Sequence, residues 1–130
     1  MQDVLLLDYS PTTRRATRLT LAQAGFNVIL AETVERALEA LRRGWPDAVL
    51  VNTDIPGMNA EALCEVIHRE NVGRSFAIFV VTPPLQGQTI EWAGSMQKCF
   101  VLEQPLSPEE IVSRLAEILS ACGETRRNAH

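Results

Sequence analysis

Five short apolar runs, separated by stretches with helical spacing, constrain the fold of this chain more than any other feature. The runs are four to six residues long and almost continuously apolar: Val4–Leu7, Phe26–Ala31, Ala48–Val51, Phe76–Val81 and Cys99–Leu102. Runs of this kind suit strands that are buried on both faces of a sheet. Strands that alternate with helices form parallel sheets with helices on both faces. The pattern therefore predicts an α/β fold with a doubly wound, five-stranded parallel sheet in a three-layer αβα arrangement.

Helix-start signals follow most of these runs. Ser10 precedes a proline and can cap a first helix, and Thr33 and Asn59 are placed to cap the next two. Residues 107–110 read Ser-Pro-Glu-Glu, which combines a cap, a proline at the first helical position and a glutamate that completes a capping box. Residues 85–95 have weak periodicity, and we expect only a short helix there. A βα unit is thus repeated five times.

The length and charge of the chain limit its organisation and its partners. We expect residues 1–122 to form one domain and the polar residues 123–130 to form a tail or linker. The net charge of −4 argues against direct nucleic-acid binding, because phosphate contacts need a basic surface. No apolar run approaches the roughly 20 residues that span a bilayer, and the N-terminus lacks the basic start of a signal peptide. We therefore expect a cytoplasmic protein that contacts no membrane.

The three cysteines give no metal or disulfide pattern. Cys64, Cys99 and Cys122 are scattered, odd in number and without a Cys-x-x-Cys pair. The two histidines add no ligand spacing, so we expect neither a zinc site nor a disulfide framework. Small buried apolar side chains are the favoured interpretation of all three.

Polar residues stand where four of the predicted strands end. Asp8, Asn52, Thr82 and Gln104 each have an ordinary explanation as a loop acid, a turn former or the last residue of a strand. In open parallel sheets, however, the functional crevice lies at the carboxyl ends of the strands. We therefore expect these four side chains to share one site.

The sequence around these residues resembles the receiver domain of bacterial two-component response regulators. The resemblance rests on the stretches VLLLDYSP, PDAVLVNTDIPGMNAEAL, VVTPP and EQPLSPEEI, in this order, and covers about residues 3–121. It implies a flavodoxin-like (βα)5 fold with strand order 2-1-3-4-5 and a role in phosphorelay signal transduction.

The resemblance also implies a role for each strand-end residue. In that family, an aspartate at the end of strand three accepts a phosphoryl group from a histidine kinase. Two acids after strand one help it to hold Mg²⁺, and a hydroxyl and a lysine contact the phosphoryl oxygens. The acceptor position falls here on Asn52, the acid pair on Asp8 and Tyr9, the hydroxyl on Thr82 and the lysine on Gln104. Only Asp8 and Thr82 keep the family's chemistry.

These departures predict a degenerate phosphorylation pocket, a pseudo-receiver with no catalytic residue and no enzyme activity. An amide is not the carboxylate nucleophile that an aspartyl phosphate requires. Mg²⁺ prefers anionic oxygens, and Asp8 is the only retained acidic ligand, so we expect no cofactor and weak or absent Mg²⁺ binding. Tyr9 and Asn52 remove two negative charges and Gln104 removes one positive charge, so the net charge of the pocket stays balanced without a metal ion. Asp54, two residues past the strand, is a poor substitute acceptor because the family uses the backbone at that position.

A domain without the phosphorylation switch is expected to act through protein contacts. In the family, the docking face consists of the helix after strand four, strand five and the last helix. That face offers five candidate interface residues here: Glu91, Trp92, Lys98, Phe100 and Glu109. The implied partners are a histidine kinase, a fused effector domain or a second copy in a homodimer. Trp92 is an equally good candidate for an interface anchor and for a core residue.

Two alternatives remain open. VLLLDYSPT also resembles the start of phosphohydrolases that use the first aspartate as nucleophile, with Asp8 in that role. Ser10 stands where those enzymes carry a second acid, which argues against this alternative. In the other alternative, a small ligand that carries no phosphoryl group occupies the altered pocket and still switches the domain.

Overall fold

The computed structural model describes residues 2–44, 46–52, 60–70, 76–83 and 98–128. These ranges hold five strands and four helices, in the order β1 Asp3–Leu7, α1 Pro11–Gln23, β2 Asn27–Ala31, α2 Val34–Arg43, β3 Ala48–Asn52, α3 Ala60–Glu70, β4 Ala77–Thr82, β5 Cys99–Glu103 and α4 Pro108–Asn128. All strand pairs are parallel, and the sheet order is β2-β1-β3-β4-β5. The predicted fold class and strand order are confirmed.

Alternate strand residues enter two separate cores, one on each face of the sheet. The first core lies between the sheet and helices α1 and α4, and includes Leu6, Phe79 and Leu115. The second core lies between the sheet and helices α2 and α3, and includes Leu5 and Ile67. Because neighbouring residues in a strand point to opposite faces, an uninterrupted aliphatic strand supplies both cores. This explains why the central strands show no apolar–polar alternation.

Side-chain caps begin three of the helices where the sequence predicts them. The Ser10 hydroxyl accepts a hydrogen bond from the Thr13 N–H at 3.5 Å, and the Thr33 hydroxyl accepts one from the Arg36 N–H at 3.2 Å. At α4 the capping box is complete in both directions. The cap predicted at Asn59 and the short helix predicted at 85–95 lie outside the described residues.

The last helix is longer than the sequence suggests. We expect residues 123–130 to form a polar tail or linker, and the described part of this segment continues α4 as far as Asn128. Residues 121–128 contain no proline and several good helix formers, so each added residue gains a backbone hydrogen bond. Gly123 is tolerated at a cost of about 1 kcal/mol relative to alanine. Of the helices described, none has the length and apolar character needed to cross a bilayer.

A polar network joins the amino ends of several strands at the edge of the sheet that faces away from the predicted site. The Asp3 N–H donates to the Asp47 carboxylate at 2.8 Å, and the Asp47 N–H donates back to the Asp3 carbonyl at 2.9 Å. The Asn27 side-chain amide donates to the Asp3 carboxylate at 2.9 Å, and the Ala77 N–H donates to the Asp47 carbonyl at 3.2 Å. The network therefore fixes the start of β2, β1, β3 and β4 relative to one another.

Candidate functional site

The carboxyl ends of the parallel strands bring the predicted polar residues to one edge of the sheet. Asp8 directly follows β1, Asn52 is the last residue of β3, and Thr82 is the last residue of β4. Gln104 directly follows β5, and its N–H donates to the Thr82 carbonyl at 2.9 Å. The register places Asn52 opposite Val81, one residue before Thr82. The strand ends are thus aligned, as the sequence predicts.

A small cavity at this edge unites three of the predicted residues. Asp8, Asn52 and Gln104 line a cavity of about 60 Å³ on the α1 and α4 side of the sheet. The remainder of its wall is largely apolar and comes from the first core and the start of α4: Leu6, Leu50, Val81, Leu106, Pro108 and Ile111. Thr82 is buried but does not line this cavity. Tyr9 is 53% exposed and does not line it either, and Asp54 lies outside the described residues.

Asp8 is held in place mainly by backbone groups. Its side chain is buried, with the whole residue 2% exposed, and its carboxylate accepts a hydrogen bond from the Ser10 N–H at 3.0 Å. The Asp8 N–H donates to the Ala31 carbonyl at 3.3 Å, and the Arg14 guanidinium donates to the Asp8 carbonyl at 3.2 Å. A buried carboxylate requires such donors to offset its desolvation. The geometry therefore fixes the Asp8 carboxylate at the end of β1.

Asn52 ends β3 in a buried position. It is 8% exposed, and the four residues before it in the strand are buried as well. A neutral amide can occupy such a position at much lower desolvation cost than a carboxylate. The side chain that shares the cavity with Asp8 is therefore neutral.

Two threonines of α1 also reach the cavity, and the sequence did not single them out. Thr13 and Thr17 line it, and Thr17 is buried. The available signal was their spacing, because residues four apart lie on the same face of a helix. Thr13 and Thr17 have this spacing in the helix that follows Asp8, which indicates that one face of α1 lies toward the site.

The donor set of the described pocket does not fit Mg²⁺. Among the residues that the structure describes, Asp8 supplies the only carboxylate that lines the cavity, beside the neutral amides of Asn52 and Gln104. Within the described ranges, no three His, Cys, Asp or Glu residues are grouped so that they could hold a metal ion. Mg²⁺ is bound through anionic oxygens and retained waters in octahedral geometry. Weak or absent Mg²⁺ binding stays a prediction.

The predicted interface residues differ in their surroundings. Lys98 is exposed and has a left-handed backbone with φ of 54°, and Glu109 is exposed in the first turn of α4. Phe100 is half-buried, and its ring stacks on Phe79 of the first core with centroids 5.3 Å apart. Phe100 therefore packs partly inward. Glu91 and Trp92 lie outside the described residues.

Comparison with known sequences supports one family. The family model of the response regulator receiver domain matches residues 4–116. The transcriptional regulator PhoB of Escherichia coli is 23% identical over 118 residues, which are 89% of this chain and 51% of PhoB. The sensor histidine kinase AruS of Pseudomonas aeruginosa is 31% identical over 120 residues, which are 89% of this chain and 12% of AruS. The chain thus spans about half the length of PhoB and a small part of AruS.

Solved structures support the same fold. The chemotaxis response regulator CheY4 of Vibrio cholerae superimposes with a TM-score of 0.81 at 20% identity, covering 91% of this chain and 98% of CheY4. A putative response regulator from Chloroflexus aurantiacus gives a TM-score of 0.74 at 26% identity, covering 92% of this chain and 98% of that one. With the family match across most of its length, this chain belongs to the response regulator receiver domains of two-component signalling.

Proposed function

We propose that this domain is a pseudo-receiver, one that is not phosphorylated at the usual position and acts by binding other proteins. One observation carries the proposal: the buried residue that ends β3 beside Asp8 is the neutral Asn52. Formation of an acyl phosphate requires a carboxylate oxygen that attacks phosphorus. The amide of Asn52 has its lone pair delocalised and no negative charge, so it does not carry out this attack.

The other two changes at the site support a coordinated loss of the chemistry. Tyr9 stands where the family has an acid, and the residue is 53% exposed. Gln104 stands directly after β5, where the family has a lysine. A site with two additional carboxylates would need a metal ion or a lysine to offset their repulsion. A site with Asp8 alone does not, which leaves the domain stable without either.

The cavity size favours protein contacts over a small ligand. Typical small-molecule sites have volumes of about 300–1,000 Å³. The strand-end cavity has about 60 Å³, enough for a few atoms. The phosphohydrolase alternative gains no support either, because the hydroxyl of Ser10 caps α1 and leaves the second-acid position without an acid.

The test of the phosphorylation claim is exposure to acetyl phosphate and Mg²⁺, followed by intact mass spectrometry. We expect no phosphoryl adduct on the natural chain. The matched variants are Asn52→Asp, and Asn52→Asp combined with Tyr9→Asp and Gln104→Lys, which restore the family's charges step by step. We expect an adduct in the triple variant, removed by hydroxylamine as an acyl phosphate should be. A stable adduct on the natural chain, mapped to Asp54 or any other residue, would contradict the proposal.

For the partner, we propose contact through the face that includes β5 and the start of α4, where Lys98 and Glu109 are exposed. A histidine kinase, an effector domain or a second copy of the chain are the candidate partners.

Sedimentation across a concentration series tests whether a second copy binds. Lys98→Glu, which reverses a charge on the proposed face, should weaken the association. Arg18→Glu, at an exposed position of α1, makes the same change of charge away from this face. Association that weakens in both variants alike would contradict the proposed face.

A further inference from the structure

The sheet ends at β2, and the outer edge of this strand is open. Among the strands that the structure describes, β2 pairs with β1 alone, whereas β1, β3 and β4 each lie between two strands. The five residues of β2 are asparagine, valine, isoleucine, leucine and alanine, none of them charged. An apolar strand with an unpaired edge is a template on which another extended segment can form hydrogen bonds. The outer edge of β2 is therefore a surface to which a further chain can add.

The hydrogen bonds of β2 show which of its backbone groups face this edge. The Asn27 N–H donates a hydrogen bond toward β1 at 2.9 Å, and the Ala31 carbonyl accepts one from the residue after β1 at 3.3 Å. In a parallel pair, the backbone groups of successive residues turn alternately toward the partner strand and away from it. The N–H and C=O groups of Val28 and Leu30 therefore point outward, where no described strand lies.

A groove of about 480 Å³ lies between this edge and one flank of α2. Its apolar wall includes Ile29, Leu30 and Ala40, and Leu30 is 44% exposed although it is large and apolar. Arg36 and Arg43 also line the groove, and with Ala40 they stand at positions i, i+4 and i+7 of one helix face. The groove thus combines an apolar wall, two guanidinium groups and an open strand edge.

The charged groups of the groove leave one cation without an acidic partner. Arg43 forms an ion pair with Glu39 at 2.8 Å, and the Asp3 carboxylate accepts a hydrogen bond from the Asn27 side-chain amide at 2.9 Å. Within the described structure, Arg36 is exposed and forms no ion pair. A carboxylate that enters the groove can pair with this guanidinium in bidentate geometry. The groove therefore favours an anionic occupant.

We propose that the outer edge of β2 and the flank of α2 form a docking site for an extended acidic segment of a partner protein. The segment adds to the sheet as a further strand and places a carboxylate against Arg36. Leu30 pairs with Leu6 and so lies on the face of the first core, whereas α2 covers the other face. Because side chains of a strand alternate between faces, acidic residues that face α2 alternate with apolar residues that pack on Leu30.

A second copy of the chain fits this edge less well than an acidic segment does. Antiparallel pairing of two β2 edges has a twofold axis perpendicular to the sheet, so both α2 flanks lie on the same face of the joined sheet. Each flank then brings Arg36 toward the other copy without an additional acid, and like charges repel. The site goes beyond the proposed function, because β2 and β5 lie at opposite edges of the sheet.

The experiment titrates the folded, isotope-labelled chain with the synthetic peptide Val-Glu-Val-Glu-Val-Glu and records NMR amide signals. We expect saturable shifts at Val28 and Leu30 with a Kd below about 1 mM, and slower hydrogen exchange of their N–H groups. Two further peptides, N-methylated at the valines or at the glutamates, block opposite edges of the added strand. Only one of them should lose binding, and this comparison needs no change in the protein.

Variants of the chain test the charge of the site. Arg36→Glu should weaken binding of the acidic peptide about three- to tenfold. Arg18→Glu, the same change at an exposed position of α1, should leave binding unchanged. Lys98→Glu should also leave it unchanged, which distinguishes this site from the face that includes β5.

Three results would overturn the proposal. The first is the absence of saturable shifts at β2 up to about 1 mM peptide. The second is equal binding of the two N-methylated peptides, because strand addition uses only one edge of the peptide. The third is a change of the β2 amide signals with protein concentration in the absence of peptide, which would assign this edge to a second copy of the chain.

Discussion

The two faces of the sheet differ in the side chains that they bury and in their relation to the strand-end cavity. The first core, under α1 and α4, is built from aliphatic and aromatic side chains and supplies the apolar wall of the strand-end cavity. The second core, under α2 and α3, contains Cys64 and has Cys99 packed against it. His68 of α3 lies beside Phe76 of this core, with ring centroids 5.5 Å apart. One face therefore shapes the site, and the other carries His68, whose pKa is lowered by burial.

The cavity wall and the titratable His68 thus lie on opposite faces of the sheet. We expect a change in the first core to alter the geometry around Asp8 and Asn52, and a change in the second core to leave the cavity wall intact, because the lining residues Leu6, Leu50 and Ile111 belong to the first core. The strands are the only elements that belong to both faces, and their residues alternate between them. Substitutions at neighbouring strand positions can therefore act on one face at a time.

The largest expected effect comes from two neighbouring leucines of β1. Leu6 belongs to the first core and lines the cavity, Leu5 belongs to the second core, and each is 1% exposed. Leu6→Ala and Leu5→Ala should each lower the free energy of unfolding by about 2–5 kcal/mol, as large-to-small core substitutions do. Urea titration measures this. Only Leu6→Ala should shift the NMR amide signals of Asp8 and Asn52, and equal shifts in both variants would show that the faces are not separable.

A smaller effect is expected at the helix caps. The Ser107 hydroxyl accepts from the Glu110 N–H at 3.1 Å, and the Glu110 carboxylate accepts from the Ser107 N–H at 3.3 Å. Thr33, on the other face, makes one such bond to the start of α2. Ser107→Ala should therefore cost about 1–2 kcal/mol of unfolding free energy, and Thr33→Ala about 1 kcal/mol or less. Denaturation of the two variants side by side would refute this ranking if Thr33→Ala were the more destabilising.

The smallest expected effect is a pH dependence confined to the second face. Burial lowers the pKa of His68 from its ordinary value of 6.5, and within the described structure its Nε2 is buried without a hydrogen-bond partner. The unfolded chain then binds this proton more tightly than the folded chain does. Stability should therefore be full above about pH 6.5 and should decrease as the pH falls through this value.

Comparison of variants isolates the histidine. We suggest thermal unfolding between about pH 7.5 and pH 5, a range that includes the ordinary pKa of histidine. The proteins to compare are the natural chain, His68→Gln and His130→Gln. The pH-dependent loss should be a few degrees at most and should shrink in His68→Gln only. An unchanged slope in His68→Gln would assign the dependence to other groups.

Much of the fold could be predicted because its signals are local. Uninterrupted aliphatic strands indicated a parallel sheet, and the caps at Ser10, Thr33 and Ser107 were readable from residue type and spacing. The alignment of Asp8, Asn52 and Gln104 followed from the rule that parallel strands end at one edge.

What could not be predicted depends on contacts across the chain. That Cys64 of α3 and Cys99 of β5 share the second core depends on the packing of the helix against the sheet, which no local spacing encodes. The participation of Thr17 depends on how α1 is rotated against the sheet. The extent of α4 beyond residue 122 could not be predicted from an apolar stripe, because the stripe ends there and charged residues continue the helix.

The polar network at the amino edge has a consequence for how such a domain can diverge. Asp3, Asn27 and Asp47 set the strand register with hydrogen bonds at the end of the sheet remote from Asp8 and Asn52. Exchange of the polar pocket residues Asp8, Asn52 and Gln104 should therefore leave the strand register unchanged. The chemistry of the pocket can vary while the sheet keeps its alignment.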